Sequence, residues 1–234
     1  MLKYNGLFKK LVIFGNGSNA DIMGHYLEKE RKVAAYTVDG ACIKESSFRG
    51  KPIVPFENLS VRFPHKYYDA FVAIGYQNLN RLRLDVVNKF LNCGYNLVSY
   101  IDTEVFYKTN TYTNNSIGYN CFIMELNNLQ YNTRVSNNVV LWSGNHIGHE
   151  TIIRDNVYIA SHVVISGHCD IGENTFMGVN SYTSDGIKIG KNNLIGAGAY
   201  VAKNTEDETV VVPAKSKNMG FDDLSFEALE MWRH

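Results

Sequence analysis

The residues best equipped for chemistry stand together in GNHIGHETIIRD, residues 144–155. His149 is followed directly by Glu150, with His146 just upstream. An imidazole titrates near neutrality and can take a proton from an attacking amine or hydroxyl. A carboxylate beside it can orient the ring and favour its protonated form. The pair suits a general base, His149, with Glu150 as its acidic companion; on residue type alone a solvated surface histidine is the alternative. His146 reads equally as a substrate contact or a surface residue. His162 and His168 follow downstream. Such a run of histidines suggests a metal, but no HxxxH pair on a helix arises, and His146 and His162 fall on different turn positions from His149. No metal is expected.

A second stretch, GNGSNAD, follows the apolar run LVIFG at residues 11–15. Gly15, Asn16 and Gly17 would let backbone amides approach an anion at the start of a helix, whose N-terminus carries partial positive charge. The GxGxxG fingerprint is incomplete, since Asn19 and Ala20 follow Gly17. On its own, a plain strand-to-helix turn reads as well as a ligand site. Asp39 ends the next apolar run, with Gly40 after it, where a ribose, base or sugar can be contacted. The surrounding unit is short, which suits a nucleotide-linked ligand better than a whole dinucleotide.

Two kinds of element must hold these groups. Residues 1–101 alternate strand and helix patterns: LVIFG, a helix over 18–32, AAYTVD (34–39), AFVAIG (70–75), a helix near 79–92, and NLVSYI (96–101) as a fourth strand. That alternation predicts a small parallel α/β sheet. From Ile117 onward, every sixth residue through Val201 is aliphatic except Thr183. A smaller residue such as Cys121, Thr133, Val139, Thr151 or Ala199 often lies two positions before it, on the same face of a short strand. A fixed six-residue period of strand and turn predicts a β-helix whose coils cover one another.

The position three after each aliphatic is Asn or Gly in eleven of fifteen hexads, from Asn120 to Asn204. These residues tolerate positive φ, so each corner is expected to be left-handed. Leu126, Glu150, His162 and His168 are the exceptions. Histidine is enriched at positive φ, which accounts for His162 and His168 as corner residues. Leu126 lies in the first coil, where irregularity is expected. Glu150 has no such reason, and residues that break a local rule cluster at functional sites.

The totals exclude several classes. Twenty-three basic residues balance 23 acidic ones, so neither nucleic acid nor a membrane surface is an expected partner. MLKYNGLFKKLVIFG is too short in its apolar run for a signal peptide, and no stretch is long enough to span a bilayer. Four scattered cysteines without a CxxC pair suit reduced thiols and a cytoplasmic location.

LVIFGNGSNAD, VAIG, HIGHETIIRDNVYIASH, IGENTFMGVNS, IGAGAYVAKNT and VVPAKS resemble the hexapeptide-repeat nucleotide-sugar acetyltransferases, over nearly the whole chain. Among them are enzymes making di-N-acetylbacillosamine and N-acetylperosamine, and sialic-acid O-acetyltransferases. The resemblance implies a Rossmann-like α/β domain followed by a left-handed parallel β-helix with three hexads per coil, then a C-terminal tail or helix. The expected boundaries are 1–101, a linker at 102–116, the β-helix at 117–212 and a tail at 213–234. His149 would be the general base beside Glu150. The nucleotide end would lie near Gly15, Asn16, Gly17, Asp39 and Gly40, with His146 toward the substrate. Acetyl-CoA would run along the β-helix between subunits of a homotrimer. Gly167, one coil beyond His149, would offer an open amide, and Val179 and Ala197 match cofactor positions. Tyr158 stands at a cofactor position where the family often carries histidine. In the tail, FEALEMW suits a short amphipathic helix capping the last coil.

The leading expectation is an acetyl-CoA-dependent N-acetyltransferase acting on a nucleotide-linked amino-dideoxy sugar. O-acetylation of a sugar or sialic acid is the alternative within the same machinery. A non-catalytic β-helix assembly module with a nucleotide-sensing domain is the alternative outside it.

Overall fold

The computed structural model describes residues 8–106 and 114–215. The N-terminal unit has strands β1 (Lys10–Phe14), β2 (Val33–Val38), β3 (Ser47–Phe48), β4 (Lys51–Pro55) and β5 (Tyr68–Val72), in the order β3-β4-β2-β1-β5. All pairings are parallel except β3 with β4. Helices α1 (Ser18–Glu30), α2 (Leu59–Arg62) and α3 (Arg81–Asn92) connect them. The continuous apolar run of β1 is explained by cover on both faces. Leu11 and Ile13 pack with Met23 and Leu27 of α1, while Val12 and Phe14 pack with Val86, Val87 and Phe90 of α3.

Two features depart from the sequence pattern. The β3–β4 hairpin extends the sheet where no alternation is legible. NLVSYI does not complete the α/β sheet: Leu97 bridges Ala70, but the strand Tyr100–Ile101 pairs with Phe122–Ile123 of the β-helix. Ser99 makes that crossing, donating to the Gly118 carbonyl and accepting from the Cys121 amide.

The rest of the described chain is a left-handed parallel β-helix. Its two-residue strands pair across eighteen positions, as in Val140 with Tyr158 and His146 with Val164. Three sheets form its faces. The first face includes Phe122, Val140, Tyr158 and Phe176 as outward residues and carries the α/β unit. The second presents Asn128, His146, Val164, Tyr182 and Tyr200, and the third presents Arg134, Ile152, Asp170 and Lys188. The inward aliphatics form one continuous core from Ile123 to Val201. Thr183, the odd member, is buried with its hydroxyl accepting from the Ser166 amide.

The corners take positive φ as expected, including the exceptions Leu126 (62°), Glu150 (57°), His162 (59°) and His168 (56°). Asn204 is a correction. The last coil is two residues short, pairing Leu194 with Val210; the left-handed corner expected at Asn204, beyond Gly186, is lost, and Glu208 (59°) takes the following corner, beyond Asn192, its amide donating to the Lys191 carbonyl. Asn204 uses its side chain to accept from the Lys188 amide.

At the corner between the third and first faces, asparagines form a ladder. The side-chain amide of Asn120 donates to Asn138 (2.8 Å), Asn138 to Asn156 (2.6 Å), Asn156 to Asn174 (2.6 Å) and Asn174 to Asn192 (3.0 Å). The α/β unit docks on this ladder. Asn120 accepts from the Val72 amide, and Asn80 donates to the Asn174 carbonyl. Arg83 of α3 is fully buried and donates to Gly75 O, Asn80 Oδ1, Asn138 Oδ1 and the carbonyls of Asn138 and Asn156. Leu82 beside it is exposed, so α3 turns a charged residue inward and an apolar one outward. The proposed FEALEMW helix lies outside the described residues, as does part of the expected linker; Val105 of that linker packs into the β-helix core.

Candidate active site

His149 and Glu150 occupy successive turn positions at the corner shared by the second and third faces, opposite the face that carries the α/β unit. Backbone bonds fix the corner: His149 N donates to Gln130 Oε1 (3.0 Å), Glu150 N to Tyr131 O (2.9 Å), and His168 N to His149 O (2.8 Å). Both side chains are exposed. The imidazole of His149 lies across the next coil, over Gly167. A Cβ at Gly167 would sit 2.8 Å from both Cε1 and Nε2 of His149 and 3.0 Å from Asp185 Oδ1. Only glycine lets the ring rest there. Among the described residues no group accepts a hydrogen bond from the Gly167 amide.

Glu150 does not pair with the adjacent imidazole. Its Oε2 lies 3.0 Å from Nδ1 of His168, the residue one coil above it. The His168 ring in turn meets the His149 ring edge to face, with centroids 4.6 Å apart. His168 is the functional candidate the local pattern hides, because histidine at a left-handed corner already has an explanation. The signal is the coil period: Glu150 and His168 break the Asn/Gly rule in successive coils of one corner. The same stacking brings together donors that the sequence reading did not group. His149, Glu150 and His168 each place a ligand atom within 4.8 Å of the others. His146 stays apart on the second face, half-buried, with Nδ1 3.4 Å from Asn128 Nδ2. His162 lies at the corner between the first and second faces.

Val179 and Ala197 are exposed at that corner too, so the second face separates them from His149. Between the two corners this face exposes Val164, Tyr182 and Tyr200, the two tyrosines stacked at 4.7 Å. Tyr158 is a correction. It is only 3% exposed, on the first face, stacked on Phe176 and covered by Tyr76 and the Arg83 guanidinium. Trp142 donates to its hydroxyl. Burial pushes that hydroxyl up to about 12. It belongs to the seam, because a bulky aromatic there is what the α/β unit packs against, and it is not available to a cofactor on the outer faces.

In the α/β unit, Gly15 adopts φ +127°, with the Ala73 carbonyl 2.9 Å from where a Cβ would lie. Gly17 caps α1 in open space. An open pocket of about 690 Å³ begins at this turn, lined by Asn16, Gly17, Ser18, Asp21, Phe48 and Arg49. Phe48 and Arg49 come from the β3–β4 hairpin. Arg49 is held by Asp21 and by Glu28 at 3.1 Å. Asp39 and Gly40 lie outside this lining. Asp39 pairs with Lys89 (2.9 Å), and the Gly40 amide donates to the Glu57 carboxylate (3.1 Å), so both are already engaged.

Two family models match the β-helix. Residues 132–167 match the bacterial transferase hexapeptide (six repeats), and residues 170–203 match the hexapeptide repeat of succinyl-transferase. No curated protein matches the chain in sequence. Solved structures match its fold. The acetyltransferase domain of PglB from Neisseria gonorrhoeae FA1090, in complex with acetyl coenzyme A, is 19% identical with a TM-score of 0.74, covering 88% of this chain and 99% of that one. A histidine-to-asparagine mutant of perosamine N-acetyltransferase from Caulobacter crescentus, in complex with CoA and GDP-perosamine, is 23% identical with a TM-score of 0.73, covering 92% and 99%. WeeI from Acinetobacter baumannii AYE is 16% identical with a TM-score of 0.65, covering 87% and 96%.

Proposed function

We propose that this protein is an acetyl-CoA-dependent N-acetyltransferase acting on a nucleotide-linked amino-dideoxy sugar. The observation that carries the reading is the His149 corner: an exposed imidazole resting on a glycine whose amide has no described partner. Acyl transfer needs a base for the acceptor, a donor for the oxyanion and a way to hold both reactants. The acceptor nitrogen attacks the thioester carbonyl while His149 takes its proton. The Gly167 amide donates to the oxygen on which charge develops. The carbon–sulfur bond then breaks, and the coenzyme leaves as the thiol with the proton His149 carried. Glu150 acts from one residue back: it holds the His168 ring, whose edge-to-face contact with His149 positions the base.

The pocket at Asn16 and Gly17 would receive the nucleotide end. Within one chain, the α/β unit sits on the face opposite the His149 corner. A homotrimer, in which one copy's second face meets a neighbour, brings Val164, Tyr182, Val179 and Ala197 against the pantetheine arm. Structures of the same architecture carry CoA with GDP-perosamine, or acetyl-CoA. Among the described residues no helix is long and apolar enough to cross a membrane, and the four cysteines are free, which suits a cytoplasmic enzyme.

The test is thiol release from acetyl-CoA with UDP-, dTDP- and GDP-linked 4-amino sugars and their hydroxyl counterparts. Turnover is expected with an amino sugar only. Activity confined to a hydroxyl acceptor would replace this reading with O-acetylation. His149→Ala is expected to lower kcat by roughly 10²–10⁴ with the oligomer intact; full retained activity removes His149 as base.

A further inference from the structure

We propose that His149, Glu150 and His168 form a binding site for a divalent transition metal of the zinc class, and that its occupancy switches acetyl transfer off. The switch rests on His149 being the base; the site itself rests on geometry alone. Two imidazoles and one carboxylate, with a position left open, make a donor set that takes Zn²⁺. Each side chain brings one ligand atom, all within 4.8 Å of one another, and all three are exposed. Ligand atoms around a tetrahedral ion at ~2.0–2.2 Å lie roughly 3.3–3.6 Å apart. Glu150 Oε2 and His168 Nδ1 are already inside that span at 3.0 Å. A rotation of the His149 side chain closes the remainder.

The backbone beneath is fixed by coil pairing, since the His168 amide donates to the His149 carbonyl at 2.8 Å. The corner column itself points to a ligand. It reads Asn132, Glu150, His168, Gly186, all with positive φ. The two long ligand-bearing side chains occupy adjacent coils, in a conformation that asparagine and glycine hold with less strain. A nitrogen lone pair given to a metal ion is not free to accept a proton. Metal occupancy and general-base action at His149 are therefore mutually exclusive.

The experiment uses the full chain after chelator treatment. Co²⁺ titration followed by visible absorption, and Zn²⁺ equilibrium dialysis, should each report one ion per chain. Glu150→Asn and His168→Asn place at each corner the residue found at most others, so the coil is retained, and 1:1 binding should be lost. Acetyl transfer by the wild-type protein should fall in proportion to Zn²⁺ occupancy and return on chelation. Absence of 1:1 binding, binding unchanged in both variants, or full turnover at full occupancy would each overturn the proposal. Failure of the base assignment is read separately, as retained turnover in metal-free His149→Ala.

Discussion

Gly167 controls where the His149 imidazole can lie. A methyl group there would stand 2.8 Å from the ring and force it off the coil. If His149 is the base proposed above, Gly167→Ala is therefore expected to lower kcat at least tenfold by displacing a group whose positioning is worth that much. The thermal midpoint should move by only a few degrees, as for a surface substitution, and the two are separable by kinetics and calorimetry. Arg83 carries the opposite kind of sensitivity. Burial pushes its guanidinium down to about 10, which leaves it charged at neutral pH, with five neutral acceptors in place of a carboxylate. Arg83→Lys cannot span those acceptors, because an ammonium lacks the planar fork. It should cost on the order of 3–5 kcal/mol in a denaturant titration, with carbonyls left unpaired in the seam. Sequence alone reveals one of these residues and hides the other. Gly167 follows from His149 once the coil length is known. Arg83 looks like one more solvated charge on α3, and only the docked β-helix makes it interior.

At the scale of the element, the hexads were legible because one environment repeats down the coil, so each inward aliphatic reports the same constraint. The asparagine corners were legible for the same reason. What the pattern could not report is where repetition stops: the shortened last coil drops the corner at Asn204 and brings the following one two residues early, to Glu208. Nor could it place NLVSYI, whose apolar residues suit either sheet and whose allegiance is decided by Ser99. Asn156 tests how far the corner ladder acts as a unit. Its side chain donates to Asn174 and to the Asn80 carbonyl and accepts from Asn138. Asn156→Ala should destabilise the protein by about 1–3 kcal/mol and loosen the seam. Hydrogen exchange should then rise in α3 as well as at the corner; a rise confined to residues 155–157 would mean that the ladder's rungs are independent.

The molecule as a whole presents one face covered by its own α/β unit and a second with exposed Val164, Tyr182 and Tyr200. The proposed trimer assigns that second face to a neighbouring copy. Tyr182→Asp would bury a carboxylate among apolar groups there. It should shift sedimentation from trimer to monomer and abolish acetyl transfer, while nucleotide binding to the α/β unit persists. A monomeric wild-type protein would remove the assembly from the reading. The seam has a further consequence. The acceptors under Arg83 belong to a ladder that recurs at every coil, so the β-helix offers the same cradle again one rung along its screw axis. The asparagine ladder by itself does not choose the rung. The choice falls to contacts that do not recur: Ser99 on Gly118 and Cys121, the pairing of Tyr100–Ile101 with Phe122–Ile123, and the run Phe122, Val140, Tyr158, Phe176 against Tyr26 and Tyr76. Together they act as the vernier that sets how far along the prism the α/β unit sits and hence, under the proposed reading, the axial height at which a substrate would meet His149.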